Sequence, residues 1–157
     1  MISKSKWVYR ITVITLSIGL LGLLTGCPEE AAPPSLEDGT ITVRVTGAGD
    51  HDGKQTFFAV VAAGDDLLDS NNHIAENTEN VITGGSLEVI MLDPLDPTET
   101  VPEIFTGGES YDVGGIIDVD DDDDITSGVD YLTSRTVVVD GDMIVEFVYP
   151  TDFTLVP

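Results

Sequence analysis

LTSRTVVVDGDMIVEFVY, from Leu132 to Tyr149, is the stretch whose reading decides the fold. Two runs rich in β-branched residues, Leu132 to Val139 and Asp142 to Tyr149, flank Asp140-Gly141. An Asp-Gly pair between such runs is the strongest short-range signal for a β-hairpin, because a type I′ turn needs positive φ at both central residues. The expectation is an antiparallel pair closed at Gly141.

Working outward, the same strand signature recurs. Ile41, Val43 and Val45 alternate with Thr42 and Arg44, which predicts a half-buried strand over Thr40 to Thr46. Asp52-Gly53 marks a turn, and Thr56 to Ala63 is apolar on both faces, as a central strand would be. Residues 64–80 are rich in Asp, Asn and Gly and read as a loop, with a short strand at Leu67-Leu68 or His73 to Ala75 as an option. Leu87, Val89 and Met91 give one face to a strand over Ser86 to Leu92; Pro94, Pro97 and Pro102 then exclude a ladder interior. Gly107-Gly108 opens a further strand from Tyr111 to Val119. After residue 27 no segment carries a 3.6-residue period. The reading is an all-β chain forming one antiparallel β-sandwich over residues 39–150, with 151–157 as a tail, since roughly 120 residues suffice for one such core and not for two.

The N-terminus carries an address. Lys4, Lys6 and Arg10 precede the apolar run Ile11 to Leu24, which is short of the roughly 20 residues of a comfortable bilayer span and has the layout of a cleaved secretory signal. Leu24-Thr25-Gly26-Cys27 ends it, and Pro28, Glu29 and Glu30 follow abruptly. This ending resembles the lipobox of bacterial lipoproteins. The resemblance implies a signal peptide over 1–26, removed before Cys27, and a diacylglyceryl group on the Cys27 thiol with an N-acyl chain on the new amino terminus. It also implies attachment to the membrane through that lipid, in the bacterial cell envelope outside the cytoplasm. The outer membrane is favoured where two membranes exist, because Pro28 stands where Asp would commonly retain such a protein at the inner one. The competing reading is an uncleaved anchor helix with a free Cys27 thiol. Residues 27–38 read as an acidic, Pro-containing tether.

Loss of the leader takes Lys4, Lys6 and Arg10 with it, leaving Arg44, Lys54 and Arg135 against all 29 acidic residues; the formal charge goes from −23 to −26. A surface of that charge repels nucleic acid and attracts cations and partners with a basic surface. With Cys27 as the sole cysteine, no intramolecular disulfide can form.

Carboxylates are densest at Asp118-Val119-Asp120-Asp121-Asp122-Asp123-Asp124, six in seven residues, with Asp130 after Gly128. Like charges this close repel unless water or a cation compensates. A curled loop can aim Asp118, Asp120 and Asp122 at one point, with the Asp124 carbonyl and Asp130 completing the oxygen shell that Ca²⁺ requires. The Asp-x-Asp-x-Asp start resembles calcium loops of the EF-hand type. Asp123 replaces that loop's turn glycine, however, and Val129 stands at its twelfth position instead of a bidentate Glu, so a calcium site on a β-loop is the version expected. A merely solvated acidic loop is the other open reading.

Catalytic signatures are missing: His51 and His73 lack zinc spacing, no Gly-x-Ser-x-Gly occurs, and Gly84-Gly85 and Gly107-Gly108 read as turns. The sequence therefore points away from an enzyme. It points to an interaction or structural module, or, as the alternative, to a ligand- or carbohydrate-binding sandwich serving another envelope protein. The order of strands, the Gly53-Lys54 turn and the acidic loop after a Tyr-containing strand loosely resemble transthyretin-like and immunoglobulin-like modules.

Overall fold

A computed structural model describes residues 35–96, 98 and 100–157. The signal peptide over 1–26, Cys27 and the tether as far as residue 34 lie outside the described residues. Eight strands follow in order: β1 (Ile41–Thr46), β2 (Gln55–Ala62), β3 (Ala75–Val81), β4 (Leu87–Ile90), β5 (Ser110–Asp118), β6 (Tyr131–Val138), β7 (Met143–Val148) and β8 (Thr154–Leu155). They form two sheets, β4-β1-β7 and β3-β2-β5-β6-β8. Alternate residues of each sheet point into one hydrophobic cluster: Ile41, Val43 and Val45 of β1 and Val145 and Phe147 of β7 meet Phe58, Val60, Val113 and Ile117 of the larger sheet. The Phe58 and Phe147 rings stack across it at 6.3 Å between centroids.

The Asp140-Gly141 hairpin does not form. β6 belongs to the five-stranded sheet, whereas β7 lies in the other sheet and pairs with β1, running parallel, from Ile41↔Met143 to Thr46↔Val148. The arrangement is therefore not wholly antiparallel. Residues 139–142 are a crossing between sheets. Val139 is buried, with Gly108 N–H donating to its carbonyl (2.8 Å) and its own N–H donating to Glu109 O (3.1 Å), so the pairing with the β5 side runs on past Val138 and the chain leaves the sheet only after Val139. The Asp142 carboxylate then accepts from Thr40 N–H and Oγ1, both at 2.9 Å, and Met143 N–H donates to Thr40 O, so β7 is delivered to the start of β1. Those bonds hold the Asp142 carboxyl below its usual range, the backbone one first.

Gly141 alone of the pair takes positive φ, at 71°. A Cβ there meets open space, so substitution costs backbone strain and no collision. Gly141→Val is expected to lower stability by about 1–3 kcal/mol in chemical denaturation, with the crossing rather than a hairpin as the cause; an unchanged midpoint would remove the constraint.

Two boundaries move. Asp38 Oδ1 accepts from Gly107 N–H (2.8 Å), Gly141 N–H donates to Glu37 O (2.7 Å), and Gly39 bridges to Phe105, so the last tether residues are docked. The expected tail 151–157 supplies β8, which pairs with Tyr131 and Leu132, and Phe153, which is buried against Phe147. Residues 64–80, expected as loop, carry β3 along the edge of β2.

β2 is apolar on both faces because the inner one meets the core and the Ala59 to Val61 part of the outer one is covered as well. Ala59 and Val61 on its outer face are fully buried beneath the loop that follows it. That loop closes down because Gly114 on β5 has no side chain: a Cβ there would stand 2.5 Å from Leu67 Cδ2 and 2.3 Å from Thr133 O.

Candidate metal centre

Residues 119–130 leave the end of β5, where Asp118 pairs in register with Gln55 of β2. The loop is folded by its own carboxylates. Asp118 Oδ1 accepts from Asp121 N–H (2.7 Å) and Oδ2 from Asp123 N–H (3.1 Å). Asp122 Oδ1 accepts from Asp124 N–H (3.0 Å) and its Oδ2 from Thr126 Oγ1 (3.3 Å). Asp121 and Asp123 sit in the left-handed region, at φ 55° and 61°, which Asp tolerates better than most side chains because it can hydrogen-bond locally.

Asp130 closes the loop. It is fully buried, its Oδ1 accepts from Val119 N–H (2.8 Å) and its Oδ2 from Thr126 N–H (2.7 Å), so one carboxylate staples both ends. The chain continues into the β8 region: Val156 N–H donates to Asp130 O (2.9 Å) and Gly128 N–H to Val156 O (2.8 Å). Lys54 contributes a cation from the turn before β2, with Nζ 2.6 Å from Asp121 Oδ2.

Among the described residues, Asp118, Asp120 and Asp130 bring one carboxylate oxygen each within 4.8 Å of one another. Asp122 and Asp124 stay out of that group. The fit to a cation can be judged from geometry: with Ca–O distances of about 2.4 Å, two ligands on one ion stand at most about 4.8 Å apart, and all three oxygens satisfy that bound. Three carboxylates supply at most six oxygens, so waters or carbonyls would complete a shell of six to eight. Oxygens of Asp118 and Asp130 that already accept an N–H keep a second lone pair for a metal.

Partial loss of surrounding water, and then the charges of Asp122, Asp130 and Asp118, raise the Asp120 carboxyl above its usual range. Asp120 is exposed, so the crowding of like charges is the weightier cause. A carboxyl whose folded-state pKa is raised costs stability at neutral pH, and that cost fades as pH falls through the folded pKa and is gone below the unfolded one. The cation-free fold is accordingly expected to be steadied by Asp120→Asn, which removes the charge and keeps the size. Melting in chelator should rise relative to the parent; a fall would mean that Asp120 makes a contact that repulsion does not outweigh.

Sequence reading misses Lys54, whose chain neighbour Gln55 is paired with Asp118, and it misses the structural task of Asp130. Position relative to Asp118 across a β ladder is a long-range fact that no local spacing encodes. No family model, curated protein or solved structure matches the chain.

Proposed function

We propose that the chain is a lipid-anchored, non-catalytic module of the bacterial cell envelope, a β-sandwich of immunoglobulin-like or transthyretin-like kind, whose acidic loop takes up Ca²⁺. The observation that carries the calcium reading is the convergence of Asp118, Asp120 and Asp130, one carboxylate oxygen from each lying within 4.8 Å of the others. Bound Ca²⁺ would supply positive charge where repulsion raises Asp120, and so would steady the loop. The excess of acidic residues suits a protein partner with a basic surface. Thermal melting across a calcium titration tests the site: Ca²⁺ raises the midpoint and Mg²⁺ raises it less, whereas equal shifts reduce the site to a diffuse acidic surface.

The anchor rests on Leu24-Thr25-Gly26-Cys27 behind a basic, then apolar leader. Cys27→Ser removes the thiol that would be alkylated. The expected outcome is accumulation of uncleaved precursor and loss of label from a palmitate analogue fed to the cells, and a Ser variant that still takes up label would end this reading. With two or more acyl chains the protein is firmly held, since each buried CH₂ contributes about 0.8 kcal/mol and one chain is marginal.

A further inference from the structure

The outer face of the five-stranded sheet holds a half-open groove of about 330 Å³ beside the acidic loop. Its floor is the cross-strand pair Phe57↔Ile116, which points away from the inner cluster because Phe58 and Ile117, one residue on, point into it. The consecutive phenylalanines Phe57-Phe58 had to part in this way. Leu68, from the loop after β2, and Ile125, from the acidic loop, line it from two different segments, and they remain 47% and 48% exposed. The ring of His73 stands 5.4 Å from that of Phe57 between centroids; its Nδ1 lies 3.1 Å from Glu76 Oε2 and its Nε2 3.0 Å from Leu67 O, so both nitrogens face the protein and the ring offers the groove its aromatic face.

Three carboxylates, Asp118, Asp123 and Asp124, line this apolar groove beside the His73 ring. Each oxygen of Asp118 already accepts an N–H of its own loop. Those of Asp123 and Asp124 do not: among the described residues neither carboxylate has a hydrogen-bond or ion-pair partner, and no Lys or Arg lines the groove. An occupant must therefore bring apolar surface for Phe57, Ile116, Leu68 and Ile125 and positive charge for Asp123 and Asp124. The volume lies at the lower end of the range for small-molecule sites, roughly 300–1,000 Å³. We propose that this groove binds a small organic cation, a protonated primary amine carried on an aromatic or branched apolar body. The amine donates charge-assisted hydrogen bonds to the Asp123 and Asp124 carboxylates, and the body covers the Phe57 ring. The proposal does not depend on the lipid anchor or on calcium.

Phenethylamine tests it, titrated calorimetrically into the full chain in zwitterionic nanodiscs with chelator present and with binding to empty nanodiscs subtracted. Saturable one-to-one binding is expected. 3-Phenylpropionate, with a comparable body and the opposite charge, and methylamine, with the charge and no body, should each bind at least tenfold more weakly. Asp123→Asn with Asp124→Asn should weaken phenethylamine at least tenfold while melting stays at or above that of the parent, since both side chains are exposed and Asn accepts the left-handed backbone of Asp123. Phe57→Ala should weaken it similarly. Absence of saturable binding, equal binding of the carboxylate, equal binding of methylamine, or full affinity in a folded Asn double variant would each overturn the assignment.

Discussion

Asp130→Ala is expected to destabilise the folded domain by about 3 kcal/mol in chelator, the largest loss for any single carboxylate of the loop. The buried side chain satisfies two backbone donors, Val119 N–H at 2.8 Å and Thr126 N–H at 2.7 Å, and its removal leaves both without the acceptor. Hydrogen bonds to a charged group contribute about 1.5–3 kcal/mol each, and relief of repulsion from Asp118 and Asp120 offsets part of the pair. Asp130→Asn keeps one side-chain acceptor oxygen and should fall between Ala and the parent. Denaturant unfolding in EDTA and in calcium distinguishes the two tasks given to Asp130. As a staple it costs stability in both; as a ligand alone, Ala would be harmless in EDTA.

How far the sequence could be read depends on the range of the interaction that decides each feature. Alternation in β1 and the two-faced apolar run of β2 are set by which side chains must be buried, and both stand within a residue or two of their expected limits. Asp140-Gly141 misleads for the same reason that it attracts notice. Its turn chemistry is local, and Gly141 does take positive φ, yet whether the two runs pair is settled by what each can bury elsewhere. Val145 and Phe147 of β7 share the hydrophobic cluster with Val43 and Val45 of β1, and the six-residue parallel register outweighs a two-stranded ribbon. β8 is two residues long and has no periodicity to detect; only buried Phe153, held against Tyr149 and Phe147, reveals why it docks. In the acidic loop, spacing gathers the right residue types but cannot tell a carboxylate aimed at a shared point from one spent on the next turn. Asp122 and Asp118 are both at alternate positions. The difference between them is that Asp118 sits at the end of a paired strand facing Asp130, a neighbour twelve residues away in sequence.

Ca²⁺ at a hundredfold excess over its dissociation constant is expected to stabilise the fold by about 2.7 kcal/mol, which moves the melting midpoint by several degrees. Sites of extracellular modules have dissociation constants of about 10⁻⁴ to 10⁻³ M, so tens of millimolar Ca²⁺ should approach that limit. The gain comes from the three convergent carboxylates, so Asp118→Asn combined with Asp120→Asn should abolish the calcium shift even though Asp120→Asn alone steadies the cation-free fold. Opposite signs in chelator and in calcium are the signature of a ligand placed among its own kind. Asp38 is a poor control, because its carboxylate holds Gly107 N–H; Glu146, exposed on β7, is a better one, and Glu146→Gln should leave the shift intact. Mg²⁺ should do less, since it prefers strict octahedral geometry near 2.1 Å and gives up water reluctantly, whereas a loop held by backbone hydrogen bonds adapts more easily to the longer and looser calcium shell. Lower pH should erode the calcium shift through the carboxylate range, since partial loss of water and the charges around Asp120 already favour its neutral form. A shift that survives in the double variant, or one that Mg²⁺ reproduces in full, would assign the effect to the general excess of acidic residues.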